Sequence, residues 1–377
     1  ERKLTKSFDE NSCSVAEEKL FEKYKNLLDD WATNISSYTP TVTEDDILNI
    51  VVSKTGIPRS MLTQQGSRKL FSLEKDLKKA VIGQDEALTL TAQAILRSQT
   101  GLSDPAQPLG SFLFLGPSGV GKTYTAKVLA DQVFGGTDNL IQINMSEYSD
   151  KISSSRLIGA APGYVGYDES GQLTEQIRKK PYSLVLFDEI EKAHQEVTNL
   201  LLQILEEGKL TDNFGRDVSF ANALVIATGN IGSSLFNKNA SLGFNLHDGT
   251  SARNTAILKE AKDILRPELL NRFTETAIFD PLTTDSLAKI IKLEIKKLEA
   301  RLEVTHNIKL FARKPLIDFL AKEGYSTREG ARKLKSLLKI HLENKIAALL
   351  GRENPHKITK ITATLLKGET NLQVSYW

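Results

Sequence analysis

Eight consecutive residues, Gly116-Pro117-Ser118-Gly119-Val120-Gly121-Lys122-Thr123, have the types and order needed to hold a chain of phosphates. The glycines let successive backbone N–H groups turn inward around an anion. The Lys122 ammonium can reach the β and γ phosphates, and the Thr123 hydroxyl is suited to ligate magnesium. The apolar Ser111-Phe112-Leu113-Phe114-Leu115 before the run and the helix-forming Tyr124-Thr125-Ala126-Lys127-Val128-Leu129-Ala130 after it supply the strand and helix between which such a cradle sits. A nucleotide with Mg2+ is the expected ligand.

A cradle binds, whereas hydrolysis also needs a metal-side acid and a group that activates water. Asp188-Glu189 directly follows the apolar residues 183–187, at the C-terminal end of a strand, where ligands of open α/β sheets sit. Asp188 is the natural magnesium-side acid and Glu189 the base for in-line attack by water. These acids would also suit a helix N-terminus. Their place after a buried strand favours the catalytic assignment for Asp188 and Glu189, while Glu191, Lys192 and His194 read as solvated helix residues. Thr228-Gly229-Asn230 ends a further apolar strand, which would bring the Asn230 amide beside the γ phosphate to orient water. Gly-Asn after a strand is equally ordinary turn composition, so spacing alone leaves both readings open.

The elements that must position these groups follow from periodicity. The spacing of Leu20, Phe21, Tyr24, Leu27, Leu28 and Trp31 predicts an amphipathic helix over residues 15–35, and Thr43 is the expected N-cap of a second, short helix. A third helix is expected over residues 85–97. Strands at 140–143, 183–187 and 223–227 then alternate with helices at 171–180 and before Gly208. This is the pattern of a parallel sheet covered by helices on both faces. Near Pro281 the character changes: a Lys- and Glu-rich helix over 285–304, a strand at 308–311, two more helices and alternating segments at 358–366 and 372–377 indicate a smaller α+β domain. The expected organisation is a helical linker at 1–40, a large ATPase domain at 41–281 and a small domain at 282–377.

Composition narrows the class. With 377 residues, 40% hydrophobic and a net charge of +2, the chain can bury a sizeable core and has no charge excess that would call for a nucleic-acid partner. One cysteine, Cys13, rules out an internal disulfide framework. No apolar run is long enough to span a bilayer, so no membrane partner is expected. A reducing, soluble compartment is the expected setting.

Val81-Ile82-Gly83-Gln84, the cradle, Asn144-Met145-Ser146-Glu147-Tyr148, Gly163-Tyr164-Val165-Gly166-Tyr167, Asp188-Glu189-Ile190-Glu191-Lys192-Ala193-His194, Arg266-Pro267-Glu268-Leu269-Leu270-Asn271-Arg272 and Gly330-Ala331-Arg332 occur in this order. Together they resemble the second ATPase module, with its C-terminal small domain, of the Clp unfoldases, a group of AAA+ ring ATPases. The resemblance covers residues 43–377. It implies a hexameric ring that hydrolyses ATP and threads unfolded or tagged polypeptides through a central pore.

Residue by residue, the resemblance implies that Val81 and Ile82 lie against adenine, although alone they would read as core. It implies that Arg272 is an arginine finger reaching a neighbour's γ phosphate, and that Arg332 senses the phosphates from the small domain. Arg266 is assigned a structural role. Tyr164 and Val165 would form the pore loop that grips the polypeptide; a tyrosine packed over a turn is the plainer alternative. Leu242-Gly243-Phe244, apolar residues embedded in polar sequence, match a loop that docks on a peptidase ring of the ClpP type, which makes the resemblance strongest to the ClpC branch. Phe244 folded back on its own domain is the alternative.

Three positions depart from the family pattern: Ala161 stands for Pro, Gly229 for Ser, and Lys333-Leu334-Lys335-Ser336 for Pro-Leu-Arg-Arg. Relatives carry two ATPase modules and this sequence has one cradle, so a fragment or a shortened variant is expected. Three rival functions remain: a disaggregating chaperone without a peptidase, a nucleotide-gated scaffold that does not turn over, and a nucleic-acid motor of the wider AAA+ group. Lys122, Glu189, Asn230 and Arg272 argue against the scaffold, and near-neutral charge argues against the motor.

Overall fold

The computed structural model describes residues 10–37, 41–57, 59–62, 64–101, 104–150, 153–160, 171–233, 250–325, 330–352, 358–366 and 369–376. The chain divides into two compact units, Glu1–Lys54 and Thr55–Trp377. The first holds the long helix α1 (Glu10–Ser37) and most of α2 (Glu44–Thr55). Leu20, Phe21, Tyr24, Leu27, Leu28 and Trp31 are exposed on α1. The Thr43 hydroxyl accepts from Asp46 N–H at 3.3 Å while the Asp46 carboxylate accepts from Thr43 N–H at 2.9 Å, a reciprocal cap that fixes the start of α2.

The second unit is built on a five-stranded, all-parallel sheet in the order β2-β3-β6-β1-β7. Its strands are β1 (Gly110–Leu115), β2 (Leu140–Asn144), β3 (Leu184–Asp188), β6 (Leu224–Gly229) and β7 (Glu275–Ile278). Side chains alternate across a strand, and both faces here are covered. Phe112 and Phe114 of β1 join one buried cluster with Leu88 and Ile95 of α5 (Asp85–Gln99) and Leu129 of α6 (Lys122–Phe134). Leu113 and Leu115 point the other way, to Ile177 of α8 (Gln172–Lys179) and to Leu201 and Ile204 of α9 (Gln195–Glu207). That double burial explains the near-continuous apolar runs of β1, β3 and β6.

A third cluster is the core of the smaller domain. Leu287, Ile291 and Ile295 of α12 (Thr284–His306) pack with Leu316 and Leu320 of α13 (Lys314–Gly324), Leu334 of α14 (Ala331–Leu338) and Ile346 of α15 (Asn344–Arg352). They lie against a mixed sheet, β10-β9-β8, formed by β8 (Lys309–Ala312), β9 (Ile358–Leu366) and β10 (Glu369–Tyr376). A π-helical turn, Lys339–Glu343, joins α14 to α15, so one continuous run replaces the second of the two expected helices. The fold class is the expected one: α/β with a helix-covered parallel sheet, followed by a smaller α+β domain.

Elements absent from the sequence reading are those with weak patterns. Helix α4 (Gln64–Ala80) fully buries Leu73 and Leu77 but is otherwise rich in lysine and polar residues. The edge strand β7 is four residues long, and the hairpin β4 (Lys209–Thr211) with β5 (Asp217–Ser219) has three residues a side. The three strands are too short to show a period.

The two domains of this unit meet at the cradle. The Ala331 N–H, in the first turn of α14, donates to the Gly119 carbonyl at 2.9 Å. The preceding Gly330 has φ +52°, and a Cβ there would stand 2.6 Å from the Gly119 oxygen. Gly330→Ala is therefore expected to cost about 1–3 kcal/mol of seating energy, read as a lower thermal midpoint together with weaker nucleotide binding. An unchanged midpoint and affinity would show that the contact does not matter.

Candidate nucleotide site

Three strand ends converge because β6 lies between β1 and β3 in the sheet. Leu115 pairs with Gly229 and Phe187 with Ala227, so the segments that follow β1, β3 and β6 leave the sheet side by side. The cradle follows β1, Glu189 follows β3 and Asn230 follows β6. Gly121, at φ +112°, is the N-cap of α6, so the chain turns directly from the loop into the helix whose N-terminus faces the site.

Lys122 is only 7% exposed, so its ammonium must find acceptors inside the protein. It donates to the carbonyls of Gly116 at 2.7 Å and Pro117 at 2.8 Å, and to Asn230 Oδ1 at 3.1 Å. The sensor-like asparagine and the cradle lysine are thus in direct contact, which decides the Asn230 ambiguity of position: it lies at the site, not in a remote turn. Thr123 Oγ1 donates to the Asp188 carboxylate at 3.2 Å. These hydroxyl and carboxylate oxygens are hard donors of the kind magnesium takes alongside phosphate and water, so the donor set fits that ion.

Glu189 adopts a left-handed backbone, φ 61° and ψ 54°, uncommon for a residue with a side chain. Its N–H donates to Thr228 Oγ1 at 3.1 Å, and the Thr228 hydroxyl donates in turn to Asp188 Oδ1 at 2.5 Å. One threonine of β6 therefore fixes both acids. The Glu189 carboxylate accepts from Ser146 Oγ at 3.0 Å and from Asn230 Nδ2 at 3.3 Å. Ser146, Thr228 and Gln142, which donates to Asp188 at 3.3 Å, were not singled out from sequence. Ser146 lies just beyond β2 and Thr228 near the end of β6, whereas Gln142 is mid-strand in β2 and carries no such signal.

Two sequence expectations are corrected. Glu191 is not a solvated helix residue: it is half-buried, and its Oε1 accepts from both the N–H and the Nδ2 of Asn230, each at 3.2 Å. His194 is half-buried as the N-cap of α9, accepting from Glu196 N–H at 3.2 Å. Lys192 is exposed as expected.

Beside these groups lies a cavity of about 590 Å³, within the range that encloses a small-molecule ligand. Ser118 to Thr123, Asp188, Glu189 and Asn230 are among its polar lining, and Val81 and Ile82, with Leu282, Ile290 and Leu293 of the small domain, among its apolar lining. The small domain adds Ala331 and Arg332. Gln84 anchors the Val81-Ile82 segment by donating to the carbonyls of Val120 at 3.2 Å and Asp280 at 2.9 Å. Gly116 and Pro117 meet the site through Lys122. Arg272 is not part of the cavity wall; it lies in α11 (Pro267–Arg272) and forms an ion pair with Glu206 of α9 at 2.6 Å. Arg266 donates to Asn199 of the same helix at 3.1 Å, in keeping with a structural role. Tyr164, Val165, Leu242, Gly243 and Phe244 lie outside the described residues, as does Ala161.

Two family models match the chain: an AAA domain of the Cdc48 subfamily over residues 107–276, and the C-terminal D2-small domain of ClpB protein over residues 282–363. The chain belongs to the Clp family of AAA+ ATPases. It is 44% identical over 354 residues to a probable ATP-dependent Clp protease ATP-binding subunit of Chlamydia pneumoniae, covering 93% of this chain and 42% of that protein. It is 46% identical over 329 residues to the chaperone protein ClpB of Clostridium tetani, covering 87% of this chain and 37% of that protein. A closed-state cryo-EM reconstruction of Hsp104 with ATPγS and FITC casein superposes with a TM-score of 0.77 at 36% identity, covering 88% of this chain and 56% of that one. The chain thus spans less than half the length of the curated relatives it matches. The enzyme class of this Clp-type module is ATPase, and the domain is a nucleotide-binding one. No helix among the described residues is long and apolar enough to cross a membrane.

Burial pushes the Lys122 ammonium down to about 8, opposed by the charges of Glu191, Asp188 and Glu189 and reinforced by Arg332. An arriving phosphate favours the charged lysine, so nucleotide binding near that pH takes up a proton. Affinity is expected to fall as pH rises through about 8 toward the ordinary lysine value. Calorimetry in buffers of different ionisation enthalpy checks this. A pH-independent affinity with no proton uptake would contradict it.

Proposed function

We propose that this chain is the motor module of a homo-hexameric protein unfoldase, which hydrolyses ATP to pull unfolded or tagged polypeptides through a central pore and delivers them to a peptidase ring of the ClpP type. The observation that carries the reading is the meeting, in one cavity, of Lys122, Thr123, Asp188, Glu189 and Asn230 from the large domain with Arg332 from the small one. A site walled by two domains can convert a change in bound phosphate into a change of domain angle.

In this reading Lys122 binds the β and γ phosphates and Asn230 orients the attacking water. Glu189 accepts the water's proton as the new oxygen–phosphorus bond forms and the bond to the ADP oxygen breaks. Thr123 and Asp188 would hold a magnesium ion, whose charge neutralises phosphate oxygens. Val81 and Ile82 pack on the adenine, and the backbone N–H groups of Gly116 to Gly121 enclose the phosphates. Arg332 reads the phosphate state from the small domain. Arg272 serves a neighbour's site; its exposure and its absence from its own cavity wall support that role. Tyr164 and Val165 grip the moving chain, and Leu242-Gly243-Phe244 dock on the peptidase. The module is divided as 1–40 linker, 41–281 large domain and 282–377 small domain, and works in a bacterial cytoplasm or an organelle stroma or matrix.

A pair of variants tests the core of the reading. Glu189→Gln is expected to keep nucleotide binding and lower kcat by about 10²–10⁴-fold, and Arg272→Ala to lower it by about 10³-fold or more. Mixing the two should restore part of the activity, because a protomer with intact Glu189 then receives Arg272 from its neighbour. Two dead variants that stay dead when assembled together would rule out the shared site.

A chaperone without a peptidase is the second reading, favoured by the 46% identity to a relative named chaperone protein ClpB. Phe244→Ala separates them. Peptidase-coupled degradation is expected to fall while ATPase and unfolding persist; unchanged degradation would exclude docking through this loop.

A further inference from the structure

Glu191 is a charged residue held inside the site that the proposed chemistry does not use. Its Oε1 takes two hydrogen bonds from a single partner, the Asn230 N–H and Nδ2, each at 3.2 Å. Its Oε2 is buried and has no hydrogen-bond partner among the described residues. The same carboxylate packs on the turn that carries Asn230: a Cβ at Gly229 would stand 3.4 Å from Oε2. Asn230 meanwhile presents Oδ1 to Lys122 at 3.1 Å and Nδ2 to Glu189 at 3.3 Å.

An asparagine amide has one acceptor and one two-hydrogen donor end, and its value to the site depends on which end faces which neighbour. Glu191 removes that freedom. A carboxylate accepts only, so it must face the NH2 end, which turns Oδ1 toward the lysine. Its second bond, to the backbone N–H, pins the turn that sets where the side chain begins. A half-buried carboxylate with one oxygen unpartnered is costly, and it is tolerated here at the one place where it fixes the amide between Lys122 and Glu189.

We propose that Glu191 is a positioning residue for ATP hydrolysis, acting through Asn230 by fixing the direction of its amide. The inference rests on the function proposed above, in which Asn230 orients water. It assigns no contact between Glu191 and the nucleotide. Glu191 therefore governs the chemical step and not substrate capture.

The test is steady-state ATPase kinetics on the assembled protein, run well below pH 8 so that Lys122 stays charged when the Glu191 charge is lost, with nucleotide binding and thermal unfolding of each variant measured alongside. Glu191→Ala is expected to lower kcat by about 100-fold, the scale of a misplaced orienting group, with KM for ATP nearly unchanged. Glu191→Gln keeps a carbonyl acceptor for Asn230 and should retain most of kcat, and it serves where the alanine variant fails to fold. In an Asn230→Ala background the Glu191→Ala loss should vanish, because there is no amide left to orient. A full kcat in Glu191→Ala overturns the proposal. So does a KM rise that accounts for the whole loss, a glutamine variant no better than alanine, or an undiminished loss on top of Asn230→Ala. Failure of the underlying function looks different: the parent protein would not hydrolyse ATP, or Glu189→Gln would hydrolyse it normally.

Discussion

The site depends on one constraint: an ammonium group, on Lys122, has been taken almost wholly out of water. Such a group must be given acceptors or lose its proton. The acceptors come from the strand ends themselves, Gly116 and Pro117 after β1 and Asn230 after β6. The compensating carboxylates are Glu191, Asp188 and Glu189; Asp188 ends β3 and the other two come just after it, on the far side of β6. A slip of one residue in the pairing of Leu115 with Gly229 would turn each side chain to the opposite face and break this arrangement. The alternating packing of Phe112 and Phe114 against Leu113 and Leu115 on two separate cores makes that slip costly. The apolar core and the polar site are therefore two results of one register.

The small domain is attached to this centre lightly. Its direct backbone link to the cradle is the bond from Ala331 N–H to the Gly119 carbonyl, and one such bond contributes about 1 kcal/mol net. Nearby, Lys297 of α12 sits 5.3 Å from the Tyr124 ring centre and pairs with Glu294 at 2.7 Å, a half-exposed contact across the mouth of the cavity that solvent weakens. Each domain has its own buried core. Strong cores joined by weak contacts at a ligand cavity are the mechanical arrangement in which a bound phosphate can set an angle.

What could be read in the sequence was whatever announces itself locally. The cradle, the apolar runs of β1, β3 and β6 and the Asp188-Glu189 pair are contiguous, and the elements lie within a few residues of where periodicity puts them. Helix α4 and strand β7 escaped because few of their residues are buried or because they are too short to repeat a pattern. Glu191 and His194 were misread for another reason. Both sit in a stretch whose composition is that of an exposed helix start, and only the approach of β6, 39 residues later, turns Glu191 inward onto Asn230. Thr228 is the same case, an ordinary β-branched strand residue until β3 lies beside it. Contacts between strand ends distant in sequence have no local signature.

The formal charges of the site extend beyond the strand ends. Around the cradle stand three carboxylates, Asp188, Glu189 and Glu191, and two cations, Lys122 and Arg332. Lys127, Lys297 and Lys335 line the same cavity with one further acid, Glu294, so the set as a whole is not net negative. Two of the acids have partners that keep them from facing the phosphates as bare charges: Asp188 is held by Thr123 and Thr228, and Glu191 by Asn230. A triphosphate still brings more negative charge than these side chains offset. The Thr123–Asp188 oxygen pair is a place where a divalent cation would offset part of it, and an arginine from a neighbouring copy would offset more. Arg272, exposed and paired with Glu206 away from its own cavity, is a group of that kind already presented at the surface. That placement suits the shared site proposed above, in which a neighbouring copy adds a cation to this one's phosphates.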